Sequence, residues 1–206
     1  MNKKICIVGT GGFAKEILWL IDDIGRFAEV ECFMEPDHEW SERTIMDKPV
    51  RPQSEFDPGV HTAVIGIGHP QLREKVVHQL PAGTTFETLV HPNSYVTRWS
   101  TLGEGCVVCA GSVVSVHAVL GKHVQVNCYS TIGHDCQIGD YNTTTAAVSI
   151  SGDCIVGKHV YWGNGSTIRQ GLTVCDEVMI GMGAVVSKNI TESGVYVGIP
   201  AQKMGK

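Results

Sequence analysis

A chain of 206 residues has room for one large domain or two modest ones. Its 43% hydrophobic and 18% charged content, with 24 glycines, suits a soluble globular protein rich in tight turns. A formal charge of −5 gives no general basic footprint for nucleic acid; no run of 18 apolar residues suggests a membrane span, and "MNKKICIVGT" lacks a signal-peptide cleavage pattern, so a cytoplasmic location is expected.

The first element is a short apolar strand, "KICIV", at 4–8. "GTGGFAKEILWLIDDIG" follows, with Phe13, Ile17, Leu20, Ile21 and Ile24 at helical spacing. A second strand, "VECFME", ends at Glu35, and a third, "TAVIGIG" at 62–68, precedes a helix that opens on Pro70. Strands alternating with helices predict a small Rossmann-like parallel sheet, an α/β domain over residues 1–83.

The first turn, Gly9-Thr10-Gly11-Gly12-Phe13-Ala14, fits G-x-G-x-x-A. Glycines there let a phosphate approach backbone N–H groups at the positive end of a helix. Glu35, closing the second strand, stands where an acidic residue binds a ribose hydroxyl. A complete dinucleotide fold needs well over roughly 100 residues. The nucleotide or nucleotide-sugar phosphate reading of Gly9, Gly11, Gly12 and Glu35 is therefore preferred to a nicotinamide cofactor. The alternative is a tight strand-to-helix turn with no ligand.

From residue 90 the period changes. Every sixth residue from Val90 to Val186 is Val, Leu or Ile, except Thr144 and Trp162. A second column, four residues on, is mostly small: Ser94, Ser100, Cys106, Ser112, Ala118, Ser130, Cys136, Cys154, Ser166 and Ala184. Such hexads predict a parallel β-helix over 84–206, each hexad making one flat side and three closing a coil, so that residues 18 apart stack.

Eight cysteines are scattered, and Cys106–Cys109 is the only C-x-x-C, so no paired zinc site is spelled. They are read as reduced thiols, three of them in the small inward column. His38, His61, His69, His78, His91, His123 and His159 show no metal-ligand spacing, and no catalytic metal is expected.

The "[LIV]-G-x-x-[STAV]-x" hexads resemble the hexapeptide acyltransferases. The order "VGTGGFAKE", then "NCYSTIGHDCQIGDY", then "GVYVGIPAQKM" is similar to the NeuD/PglD-type sugar acetyltransferases over essentially the whole chain. The resemblance implies coils that wind left-handed, and an acetyl-CoA-dependent N-acetyltransferase acting on a nucleotide-linked amino sugar in bacterial surface-glycan biosynthesis. It also implies a homotrimer with its site between subunits, acetyl-CoA as cosubstrate, and no nucleic-acid or membrane partner.

Within that frame His134 is the third residue of the hexad opened at Ile132, hence on the outside of the coil, where a histidine is most often only solvated. Asp135 beside it can fix the tautomer and support the protonated ring. Stacking by 18 places Gly152 one coil beyond, where a bare N–H can point at an acyl oxygen, and aligns His117, Asp135 and Asp153. The resemblance makes His134 the base and Asp135 its orienter.

It also puts Asn127 near the acceptor, although an Asn tolerating a turn conformation reads equally well. Gly181 and Gly183 match positions where backbone meets pantetheine, although the repeat's own glycine habit explains them too. Several relatives carry a second histidine where this chain has Thr143, so the acetyl-CoA contact there is weaker or made by a hydroxyl. O-acetylation of a sugar of the sialic-acid type, or a non-catalytic scaffold, are the alternatives, and the nucleotide (UDP, GDP or dTDP) is left open.

Overall fold

The computed structural model describes residues 3–205, which divide between Leu89 and Val90 into two compact units. In the first, the elements are β1 (Lys4–Val8), α1 (Gly12–Asp23), β2 (Val30–Glu35), β3 (Thr44–Ile45), β4 (Lys48–Pro52), β5 (His61–Ile65) and α2 (Pro70–Gln79). The sheet runs β3-β4-β2-β1-β5. Strands β4, β2, β1 and β5 are parallel, and β3 turns back on β4 as an antiparallel edge.

β1 lies between β2 and β5 and is apolar and buried from Ile5 to Val8, because a central parallel strand is covered on both faces. Helix α1 buries Ala14, Ile17, Leu18, Leu20 and Ile21 on one side, and Gly25 at φ 76° ends it in the left-handed conformation. On the sheet, Cys6, Cys32, Met34, Ala63 and Ile65 pack with Phe56, Val76 and Leu80.

Two differences from the sequence reading have local causes. The third strand stops at Ile65, because Gly66 lies against α1: a Cβ there would sit 2.6 Å from the Ala14 methyl. The β3–β4 hairpin was not expected. Its turn residues Met46 and Asp47 take φ 47° and 64°, a conformation usually marked by Asn or Gly.

The second unit is a three-sided parallel β-helix. One face stacks Tyr95–Val96, Val113–Val114, Thr131–Ile132, Ser149–Ile150, Thr167–Ile168 and Val185–Val186, each in register with the strand 18 residues on. A second stacks Thr101–Leu102, Val119–Leu120, Gln137–Ile138, Ile155–Val156 and Thr173–Val174. The third carries Gln125–Val126, Thr143–Thr144, Tyr161–Trp162 and Val178–Ile180, and closes with Gly194–Val197 and Gln202–Lys203.

The aliphatic and small columns fill the interior: Val114, Leu120, Val126, Ile132, Ile138 and Ile150 are buried, as are the small residues Cys106, Ala118, Cys136, Cys154 and Ala184. All eight cysteines are free thiols. The two exceptions to the aliphatic column are register partners, Thr144 against Trp162. The small residue on one coil accommodates the fully buried indole on the next.

The corners have a rule of their own. Every sixth residue from Gly105 to Gly183 has positive φ, including His117, Asp135 and Asp153 at 57–59°. Each corner is a two-residue turn whose second member is left-handed, so the chain can bend sharply between flat faces. Among the described residues no helix is long and apolar enough to cross a membrane.

Candidate active site

His134 and Asp135 form the turn that links Thr131–Ile132 on the first face to Gln137–Ile138 on the second. The scaffold residues beside them, Ile132 and Cys136, point inward and are buried, which leaves the two polar side chains about half exposed at 47% and 50%. His134 Nδ1 lies 2.8 Å from Asp135 Oδ2. An ionised carboxylate only accepts, so Nδ1 carries the hydrogen and Nε2 keeps its lone pair. The imidazole is held above its ordinary pKa chiefly by this hydrogen bond; loss of solvation opposes it, and the charges of Asp153 and Asp135 add a smaller lift.

Gly152 occupies the equivalent turn one coil on, and its bareness leaves room for the ring: a Cβ there would lie 2.4 Å from His134 Nε2 and push the imidazole aside. The basic nitrogen is thus seated over the Gly152 backbone. His117, Asp135 and Asp153 occupy successive left-handed positions, and the backbone binds them in order, with Asp135 N–H donating to Val116 and Asp153 N–H to His134. One ligand atom from each of His134, Asp135 and Asp153 falls within 4.8 Å of the others. Hydrogen bonds to His134 and to Gln170 account for where the two carboxylates stand.

The other sequence-derived residues lie elsewhere on the unit. Asn127 follows the third face and opens the corner toward the first; Gly181 stands three coils on in its column and Gly183 two residues later. Asn127 does not adopt positive φ, a role Tyr129 fills at 59°, so turn conformation does not explain it. Among the described residues nothing lies within 4 Å of a Cβ placed on Gly183, whose φ of 65° by itself favours glycine. Gly181 is closely met by the Val197 side chain. Thr143 is on a third-face strand and buried, 1% exposed.

In the first unit, Gly9 takes φ 117° and sits against the Gly66 carbonyl, so glycine there is structural. Gly11 and Gly12 are exposed, and among the described residues no atom lies within 4 Å of a Cβ built on them. Glu35 is buried and occupied: Arg43 grips both carboxylate oxygens, Thr10 Oγ1 donates to one at 3.3 Å and the Ser41 N–H to the other at 3.3 Å. The Arg43 guanidinium, then these neutral donors, hold its pKa below the usual carboxylate range. Glu35 thereby ties the 39–43 loop to the glycine turn. Sequence reasoning did not find Arg43, because nothing in "SERTIMDK" signals that its side chain reaches back to β2.

Residues 4–80 match the family model for the PglD N-terminal domain. An acetyltransferase domain of PglB from Neisseria gonorrhoeae FA1090, described in complex with acetyl coenzyme A, superimposes with a TM-score of 0.91 at 27% identity, covering 99% of this chain and 100% of that one. The first unit thus resembles the PglD N-terminal domain, and the whole chain shares the fold of the PglB acetyltransferase domain. WeeI from Acinetobacter baumannii AYE is similar over 98% of this chain and 99% of its own, at TM-score 0.89 and 28% identity. GDP-perosamine N-acetyltransferase of Escherichia coli O157:H7 is 32% identical over 109 residues, 52% of this chain. That match spans about half, 49%, of the curated relative's length. The parallel β-helix winds left-handed like the acetyltransferase fold it superimposes on, as the resemblance implied.

Proposed function

We propose that this protein transfers the acetyl group of acetyl-CoA to the amino group of a nucleotide-linked amino sugar. The observation that carries the reading is the His134–Asp135 pair with Nε2 seated over Gly152. Asp135 fixes the ring so that Nε2 is the free base, and the raised pKa makes it a stronger proton acceptor. His134 removes a proton from the acceptor nitrogen as it bonds to the acetyl carbon, and returns it to the departing thiolate. The Gly152 N–H is assigned to the oxygen that gains charge at that carbon. No cysteine is needed as a nucleophile.

Gly181 and Gly183 are assigned to the acetyl-CoA chain and Asn127 to the acceptor. Thr143, buried within its strand, has the weakest support among the assigned donor contacts. Because Asn127, Gly181 and Gly183 stand on a different corner from His134, a second subunit presenting that corner completes the constellation, which favours a homotrimer. In the first unit, Gly11 and Gly12 offer backbone to a phosphate, while Glu35 holds Arg43 and Thr10 beside it. A cytoplasmic location suits both small-molecule substrates.

The test is an acceptor panel. Purified protein is mixed with acetyl-CoA and UDP-, GDP- or dTDP-linked amino sugars, or with sialic acid, and products are identified by mass spectrometry. An N-acetylated nucleotide sugar is expected; acetyl transfer to hydroxyl groups alone overturns the proposal.

A further inference from the structure

The corner that carries His134 continues into coils whose side chains have no role in the chemistry above. We infer that Asp153, held in place by Gln170, is a positioning residue for His134: a second carboxylate that acts through space to support the imidazolium formed when the base takes its proton. This rests on the acetyl-transfer reading, in which His134 is that base.

The geometry separates the two carboxylates by task. Asp135 is bonded to the ring through Nδ1. Asp153 instead accepts from Gln170 Nε2 at 2.7 Å through Oδ2, while its backbone N–H donates to the His134 carbonyl at 2.8 Å. Its left-handed turn, φ 59°, copies that of Asp135 at 58°, so its side chain leaves the coil in parallel with the one below. A ligand atom of Asp153 falls within 4.8 Å of one on His134 and one on Asp135. Its effect on the ring is therefore electrostatic, and the lift in the imidazole's pKa includes its charge after the Asp135 hydrogen bond.

Gln170 suits this role because an amide donates without neutralising. A lysine or arginine at that distance would cancel the charge that His134 feels. The surroundings are otherwise sparse. On its own turn His134 pairs with Asp135, and the same left-handed position is held by His117 on the coil before and by Asp153 on the coil after. Arg98 and Lys188 share its column two coils before and three after, with the Arg98 guanidinium 4.5 Å over the Trp99 ring, and Arg169 lies beside Gln170.

The experiment is an NMR titration of the His134 imidazole in the full-length protein, its resonance identified by its loss in His134→Gln. Asp153→Asn is expected to lower the midpoint by about half a pH unit, and Gln170→Ala to lower it by less, because the freed carboxylate swings into solvent. Asp153→Glu should restore most of the shift. The acid limb of kcat/KM should move to lower pH in step, because the neutral ring is the active form and a lower pKa keeps it neutral further down. An unmoved midpoint in Asp153→Asn, or in Gln170→Ala should the first variant not fold, overturns the inference. The midpoint needs no substrate, so absent acetyl transfer would sink the reaction reading separately.

Discussion

His134 bonds Asp135 through Nδ1, while its free Nε2 lies beside the bare Cα of Gly152. A methyl at 152 cannot coexist with the ring in that position, since it would stand 2.4 Å from Nε2. Gly152→Ala should therefore swing the ring into solvent and break its bond to Asp135. Turnover should fall at least about tenfold, the scale of a displaced acid–base group, with the melting temperature nearly unchanged because the ring is already half exposed. Retained turnover in that variant would detach Gly152 from the chemistry. Counting hexads is enough to bring His134, Asp135 and Gly152 together, since stacking by 18 is a property of the repeat. Counting cannot show where long side chains reach, so the Arg43 grip on Glu35 and the Gln170–Asp153 bond were not legible. Both depend on χ angles that no spacing encodes.

The elements of the second unit are nearly all written in the period. The aliphatic and small columns appear as buried stacks, and even the breaks in the pattern are complementary, since Thr144 lies under Trp162. That pair should behave as one unit. Trp162→Val leaves a void above Thr144, and Thr144→Ile overfills the space below the indole, so each alone should cost about 1–4 kcal/mol. The double variant, which restores an ordinary aliphatic column, should be more stable than the sum of the two by at least about 1 kcal/mol in denaturant melts. Simple additivity would show that the two positions pack independently. What the period did not reveal was the left-handed corner residue: glycine fills it at Gly105, Gly111, Gly165, Gly171 and Gly183, but His, Tyr, Asp, Ala and Glu fill the rest. The sequence signal is diluted there because the turn tolerates several residue types once both flanking strands are paired. The β3–β4 hairpin was hidden for a related reason, with Met46 in a position where Asn or Gly is the usual marker.

At the scale of the molecule, a glycine-turn α/β unit and a stacked β-helix divide the work proposed here: recognition of the nucleotide by one, proton transfer by the other. The change from alternating strand and helix to strict hexads made that division readable along the chain. The identity of the nucleotide was not readable, because Glu35 spends its acceptors on Arg43, Thr10 and Ser41 and so carries little information about a base or ribose. The central claim is that His134 is the base, and it is tested most directly by the turnover of His134→Ala with acetyl-CoA and the best nucleotide-linked amino sugar from the panel. A loss of at least about 100-fold, with melting temperature and circular dichroism unchanged, is the predicted result. Wild-type turnover in that variant would contradict it.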